Sequence, residues 1–338
     1  MVVARRRRIF HVIALGALVA PVAACTTSTD TSPGSAADTT TETATPDTTL
    51  APVADLPDVV VTYSVLGAFV DRLVEGVADV VVLIPDGQDP HDYEPSPRDV
   101  ELLNNADMVV ANGLGLEEGL DDALETARKS GVPVFSMSDH VTVLDVVDVN
   151  DHSSHGHDHR GAQSDEAHDH EHAKDPHIWL SPATMLEALP ALARAAGDAL
   201  GVDLSVNGDA FARELAEVDA ELASLFDRLT DCQLVTGHNE LGYFAQRYGC
   251  TVIAAILSSP STTAEESAGN VEFVIDVIAT HGARTVFYSL GTNPAVAERV
   301  AEAANARLVE INTHYLGATS GYVEFIRALG STIASGLR

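Results

Sequence analysis

Fourteen histidines stand in this chain of 338 residues, and eight of them fall within residues 151–182, DHSSHGHDHRGAQSDEAHDHEHAKDPHIWLSP. Neutral imidazole nitrogens bind zinc, copper and nickel, so this density points to metal chemistry. The cluster is not uniform. His152, His155, His157, His159, His168, His170 and His172 alternate with Gly, Ser, Asp and Glu without a structural period, as in a low-complexity segment that collects ions weakly. A solubilising insertion is the alternative reading of that stretch. His177 differs, because it closes the cluster in DPHIWLSP, where ordered-looking sequence introduces a helix. A second Asp-Pro-His occurs at His91 in DPHDYEPSP. In both, proline restrains the backbone before the imidazole and the aspartate is placed to orient its second nitrogen. His238 in LVTGHNELGYF and His314 in VEINTHYLG complete a set of four. Each alone has an ordinary explanation as a helix cap or a hydrogen-bonded core imidazole. Together they match what a closed zinc site takes, four N, S or O ligands at about 2.0–2.2 Å for nitrogen and oxygen.

Such residues need elements that bring them together. Runs rich in Val and Ile alternate with helical patterns, which predicts βαβ units and parallel sheets, an α/β fold. Strands are expected near Val59–Tyr63, Val80–Ile84, Met108–Ala111 and Val134–Ser136, with helices near Leu66–Glu75, Arg98–Asn104 and Glu117–Lys129. A second set has strands near Cys232–Thr236, Cys250–Ile256, Thr285–Tyr288 and Arg307–Ile311, with helices near Glu240–Tyr248, Glu265–Thr280, Ala295–Ala304 and Tyr322–Ser335. Between them Phe211, Leu215, Val218, Leu222, Leu225 and Leu229 recur at three- and four-residue spacing, which predicts one long amphipathic helix over Asn207–Leu229. A helix joining two lobes is stiffer than a loop hinge. The expected organisation is one lobe over 55–206, carrying the histidine-rich loop 151–174, a linking helix over 207–230 and a second lobe over 231–338. In open parallel sheets ligands gather beyond the carboxyl ends of the strands, where His91, His238 and His314 all fall.

The chain opens with four arginines, an apolar run from Val12 to Ala20 and the tetrapeptide Val22-Ala23-Ala24-Cys25. This is a secretory leader over 1–24 with the layout of a lipoprotein processing site, so Cys25 is the expected lipid-bearing residue and the membrane an expected partner. Residues 25–54 are poor in large apolar side chains and read as a flexible tether. Without the leader the chain holds 15 basic residues (19 less four) against 50 acidic ones, which excludes nucleic acid as a partner and suits a protein that attracts cations. Cys232 and Cys250 stand at the starts of two successive strands, where they are either a disulfide or two buried thiols.

DPHDYEPSP, DPHIWLSP, GHNELGYFAQRYG and the long linking helix, in that order, resemble the zinc- and manganese-binding solute receptors of bacterial metal ABC importers, a family that includes lipoproteins once called streptococcal metal-binding adhesins. The likeness covers residues 55–338. It implies two pseudo-symmetric α/β lobes joined by a rigid helix, with His91, His177 and His238 as ligands to one metal that is delivered to a membrane permease. The chain would then be an exported, membrane-anchored monomer rather than an enzyme. Family members commonly complete the site with aspartate in a Tyr-Thr-Asp-x-Leu-Gly context, whereas this chain reads Asn312-Thr313-His314-Tyr315-Leu316-Gly317. The expected fourth ligand is therefore His314, the alternative being three histidines completed by water, Glu94 or Glu240. A nitrogen-rich set favours Zn2+ over Mn2+. A histidine-rich loop also resembles that of the zinc-selective members.

Three other functions compete with this reading. A manganese receptor of the same family, or a surface zinc buffer or adhesin without transport, would use the same site. A zinc hydrolase would need an open coordination position, yet the sequence has no His-Glu-x-x-His helix. Since ligand histidines must be neutral, affinity is expected to fall as pH drops through roughly 6.5.

Overall fold

The computed structural model describes residues 56–147, 149–150, 173–264 and 267–338. The expectations for the leader 1–24, for Cys25 and for the tether, and those for the histidines from His152 to His172, lie outside the described residues.

Two four-stranded parallel sheets form the frame. The first holds β1 (Asp58–Tyr63), β2 (Asp79–Ile84), β3 (Met108–Ala111) and β4 (Val134–Ser136) in the order β2-β1-β3-β4. The second holds β5 (Gln233–His238), β6 (Thr251–Leu257), β7 (Thr285–Tyr288) and β8 (Arg307–Glu310) in the order β6-β5-β7-β8. Counted within each lobe the two orders are the same, so the lobes repeat one topology. Strands such as DVVVTY and TVIAAIL are nearly unbroken apolar runs because a parallel sheet is covered by helices on both faces. Cys232 and Cys250 are disulfide-bonded, with Cα atoms 4.6 Å apart. They directly precede β5 and β6, whose first residues, Gln233 and Thr251, pair in register.

In the first lobe the helices are α1 (Ser64–Val74), α2 (Pro97–Asn105) and α3 (Asp121–Lys129). A short 3-10 turn at Glu118–Leu120 occupies the start of what the sequence suggests is one helix from Glu117. The helix after DPHIWLSP is α4 (Pro182–Leu200). The two Asp-Pro-His motifs share more than their first three residues. Each ends in Ser-Pro, with the serine as N-cap and the proline at the first helical position: Ser96 Oγ accepts from Asp99 N–H at the start of α2, and Ser181 Oγ accepts from Thr184 N–H at the start of α4. Both histidines thus sit a few residues upstream of a fixed helix start.

The long helix α5 (Ser205–Phe226) buries Phe211, Leu215, Val218, Leu222 and Phe226. The second lobe adds α6 (Gly242–Tyr248), α7 (Ala268–His281), α8 (Pro294–Ala303) and α9 (Tyr322–Gly336). α5 is tied to both lobes. Glu214 pairs with Arg72 of α1, Asp219 with Arg247 of α6, and Glu221 accepts from Arg327 Nε of α9 at 2.8 Å. Phe69 of α1 packs on Phe211 with centroids 4.7 Å apart and edge-on against Tyr322 of α9 at 5.2 Å. One continuous apolar cluster therefore runs through both lobes and α5. Separating the lobes would expose these rings, each contributing roughly 1.5–3 kcal/mol by burial, so wide hinge opening is costly. No helix among the described residues is long and apolar enough to cross a membrane.

Candidate metal centre

His91, His177, His238 and His314 converge beyond the carboxyl ends of the strands, with one candidate donor atom from each lying within 4.8 Å of the others. His238 ends β5; His91 lies in the loop after β2, and His314 in the loop after β8. His177 follows β4 as His314 follows β8, so these two occupy equivalent places in the repeated topology. His177, His238 and His314 are at most 1% exposed, and His91 is 7% exposed, which puts it on the solvent side of the centre.

His177 is the middle of the group. Its Nε2 lies 3.3 Å from His91 Nε2 and 3.2 Å from His238 Nε2. A tetrahedron with arms of about 2.05 Å has edges of about 3.3 Å, so these spacings match the nitrogens of a tetrahedral zinc shell. Asp175 Oδ1 accepts from His177 Nδ1–H at 2.8 Å and from the His177 backbone N–H at 3.0 Å, which leaves the Nε2 lone pair facing inward. Gly242 makes room for this carboxylate, because a Cβ there would stand 2.4 Å from Asp175 Oδ2. The matching aspartate of the other motif acts differently: Asp89 accepts from the His91 backbone N–H at 3.0 Å, not from the ring.

His314 Nδ1 lies 2.9 Å from Thr313 Oγ1, and its buried Nε2 has no hydrogen-bond partner among the described residues. An unpartnered buried nitrogen aimed at three others is what a ligand shell leaves open for an ion. Of the two carboxylates weighed as fourth ligands, Glu94 is exposed beside Gly119, away from the four imidazoles. Glu240 is fully buried but stands behind the rings, its carboxylate oxygens 3.6 Å from His238 Nδ1 and from His314 Nδ1. Burial, followed by the proximity of His177, lowers the pKa of His91 to about 3, and the same causes hold His238 and His314 well below the ordinary imidazole value. The protein therefore presents them as neutral, metal-competent nitrogens. Burial raises Glu240 to about 7.

Several positioning residues carry no motif of their own. Trp179 Nε1 donates to Thr313 O at 2.6 Å while Tyr322 Oη donates to Trp179 O at 2.9 Å, so the indole staples the His177 segment to the His314 loop. Asn112 Nδ2 donates to Pro176 O at 2.8 Å, and its Oδ1 accepts from Tyr63 Oη at 3.1 Å. Asp86, near His91, accepts from the backbone N–H groups of Leu316 and Gly317 at 2.6 and 3.0 Å, a latch between the lobes. The stems of the histidine-rich segment also end here. Val146 N–H bonds to Ala173 O, Asn239 Nδ2 donates to Val147 O at 2.8 Å, and Tyr243 Oη donates to Asp175 O at 3.0 Å.

Two repeated parallel-sheet lobes enclosing a buried nitrogen-rich centre define the class: this is the fold of the two-lobed periplasmic metal-binding proteins. The chain belongs to the family described as zinc-uptake complex component A, periplasmic (ZnuA), whose profile matches residues 59–336. It is 26% identical over 291 residues to the high-affinity zinc uptake system protein ZnuA of Yersinia pestis, covering 83% of this chain and 91% of that protein. It is 25% identical over 260 residues to the zinc-binding protein AdcA of Streptococcus pyogenes, covering 74% of this chain and 48% of the relative, so the chain spans about half the length of that relative. Among solved structures, the periplasmic zinc-binding protein TroA from Treponema pallidum superposes with a TM-score of 0.70 at 23% identity, over 83% of this chain and 99% of TroA. That likeness shows the shared fold.

Proposed function

We propose that this chain is an extracytoplasmic zinc receptor that captures Zn2+ between its lobes with His91, His177, His238 and His314 and hands it to an ABC permease in the cytoplasmic membrane. The observation that carries this reading is the set of four convergent buried imidazoles, with Nε2 spacings that suit tetrahedral zinc. Four protein nitrogens close the shell, which fits binding and release rather than hydrolysis at an open position. In this reading the leader exports the chain, Cys25 carries the lipid that holds the monomer at the membrane, and His152 to His172 gather zinc weakly beside the centre. Manganese is the competing cargo, since a relative from Halalkalibacterium halodurans is named a manganese-binding lipoprotein. The all-nitrogen donor set favours zinc over it.

Competition titration of the purified mature chain is expected to show one tight zinc equivalent that a hundredfold excess of manganese does not displace. Deleting His152–His172 should remove the weaker equivalents and leave the tight one. Displacement by manganese would transfer the site to that metal, and loss of the tight equivalent on deletion would place its ligands in the loop. Growth of a strain lacking the gene under zinc chelation, restored by added zinc, tests the transport step.

The latch yields a kinetic expectation. Asp86→Ala removes two charge-assisted hydrogen bonds between the loops of His91 and His314. At roughly 1–2 kcal/mol for a pair open to solvent, zinc should dissociate about 5–30-fold faster in stopped-flow chelator trapping. An unchanged rate would show that release does not part these loops.

A further inference from the structure

We propose that Glu240, acting with Asp175, makes this centre selective for a dication by placing two carboxylates directly behind its imidazoles, Glu240 serving two of them at once. The inference rests on the reading of the four histidines as ligands and concerns what sets their preference.

Glu240 lies in the turn between β5 and α6, two residues after His238, and is 0% exposed. Oε1 is 3.6 Å from His238 Nδ1 and accepts from Ser289 Oγ at 2.5 Å. Oε2 is 3.6 Å from His314 Nδ1, with the Thr313 hydroxyl beside both groups. Among the described residues its ion-pair contacts are to these two imidazoles. A carboxylate buried without a lysine or arginine is costly, and the partner that makes it tolerable here is a cation on the far side of the rings. Each imidazole polarised by a carboxylate at Nδ1 is a better Nε2 donor and is held in one tautomer. Asp175 does this for His177, and Glu240 stands where a small ring rotation lets it do so for both His238 and His314.

The charges then decide between cations. Four neutral imidazoles leave a bound dication with its full charge of +2 in a buried space, and Asp175 and Glu240, held ionised by that cation, together supply −2. A monovalent soft cation such as Cu+, which imidazoles also accept, would leave one negative charge uncompensated. Glu240 is thus a positioning and specificity residue that does not itself touch the ion.

The test is Glu240→Gln in the full mature chain, with Zn2+ and Cu+ affinities measured by chelator competition. Glutamine keeps the shape and removes the charge. Zinc affinity is expected to fall about 10–100-fold, the range for loss of an outer partner of a ligand, while Cu+ affinity changes less than about threefold. One equivalent should still bind, and Co2+ should keep its intense tetrahedral absorption. Equal losses for both ions would reduce Glu240 to a packing role and overturn the proposal, as would no loss for either. If Glu240→Gln does not fold, Asp175→Asn must show the same shift of preference toward Cu+, and failure to do so is equally decisive. A wild-type chain with no tight zinc equivalent would instead refute the ligand reading, an outcome distinguishable from both.

Discussion

His177→Ala is expected to weaken zinc binding by roughly 10²–10³-fold, the largest loss of any single ligand substitution, because structural zinc sites are worth about 10–16 kcal/mol over four ligands and this one holds the group together. Its Nε2 is within 3.3 Å of the Nε2 atoms of two other imidazoles, whereas the remaining histidines reach each other through ring contacts. Alanine would also strand Asp175, whose Oδ1 accepts from the ring, and would open a void beside Trp179, whose centroid is 5.3 Å from the imidazole. No water can take the lost place without a path inward, since His177 is fully buried. His91 makes the contrast. It lies on the solvent side, where water can complete the shell, so His91→Ala should cost about tenfold less than His177→Ala. Chelator competition at pH 7.5 measures both. Retention of wild-type affinity within threefold by His177→Ala would move the tight site away from these residues.

Much of the frame was legible in the sequence because parallel sheets announce themselves. Short apolar runs rich in β-branched residues, such as DVVVTY, read as strands covered on both faces, and their alternation with amphipathic segments points to βαβ lobes. The long helix was readable from the spacing of Phe211, Leu215, Val218 and Leu222, although it ends at Phe226 rather than Leu229. Past Phe226 the chain turns, and Leu229 packs on the core from that turn rather than from the helix.

The four histidines were legible for a different reason: each stands just after a strand or just before a capped helix, and those positions converge in this topology. What surrounds them was not. Asp86 and Gly317 are 231 residues apart, Trp179 bonds across 134 residues to Thr313, and no local pattern predicts either contact. Glu240 was visible as a nearby carboxylate, but its distance from the centre depends on the path of the turn after β5, which places it behind the rings instead of among the donors. The two Asp-Pro-His motifs look alike in sequence, yet only Asp175 engages an imidazole.

Acidification is expected to destabilise the metal-free protein between pH 6.5 and 5.5 while the zinc-loaded protein resists. In the folded chain burial holds His91 near 3 and keeps His238 and His314 well below their ordinary value. In the unfolded chain these imidazoles titrate near ~6.5, so below that pH the unfolded state binds three protons that the folded state refuses. Depressed histidines therefore favour folding fully above ~6.5, and that advantage is lost as pH falls. Glu240 acts in the opposite sense, because burial raises it to about 7 and the folded state takes up a proton there that an unfolded glutamate near ~4.5 does not. Near pH 5.5 the balance is three protons less one, or two, giving a slope of about 2.7 kcal/mol per pH unit. For a folded unit of this size that lowers Tm by about 5 °C per unit. Burial also raises Asp89 and Glu117, which act in the same sense as Glu240 and soften the slope. Bound zinc occupies the nitrogens the protons would need and adds its own binding free energy to stability, so its melting point should vary less. The same burial alters the simple expectation that affinity declines through 6.5: imidazoles already neutral in the fold offer protons little to compete for until the site opens. Thermal melts of chelator-treated and zinc-loaded protein at pH 7.5, 6.5 and 5.5 separate the cases. A metal-free Tm that is flat over this range would show that the imidazoles are solvated without metal, and hence that metal loss itself opens the centre.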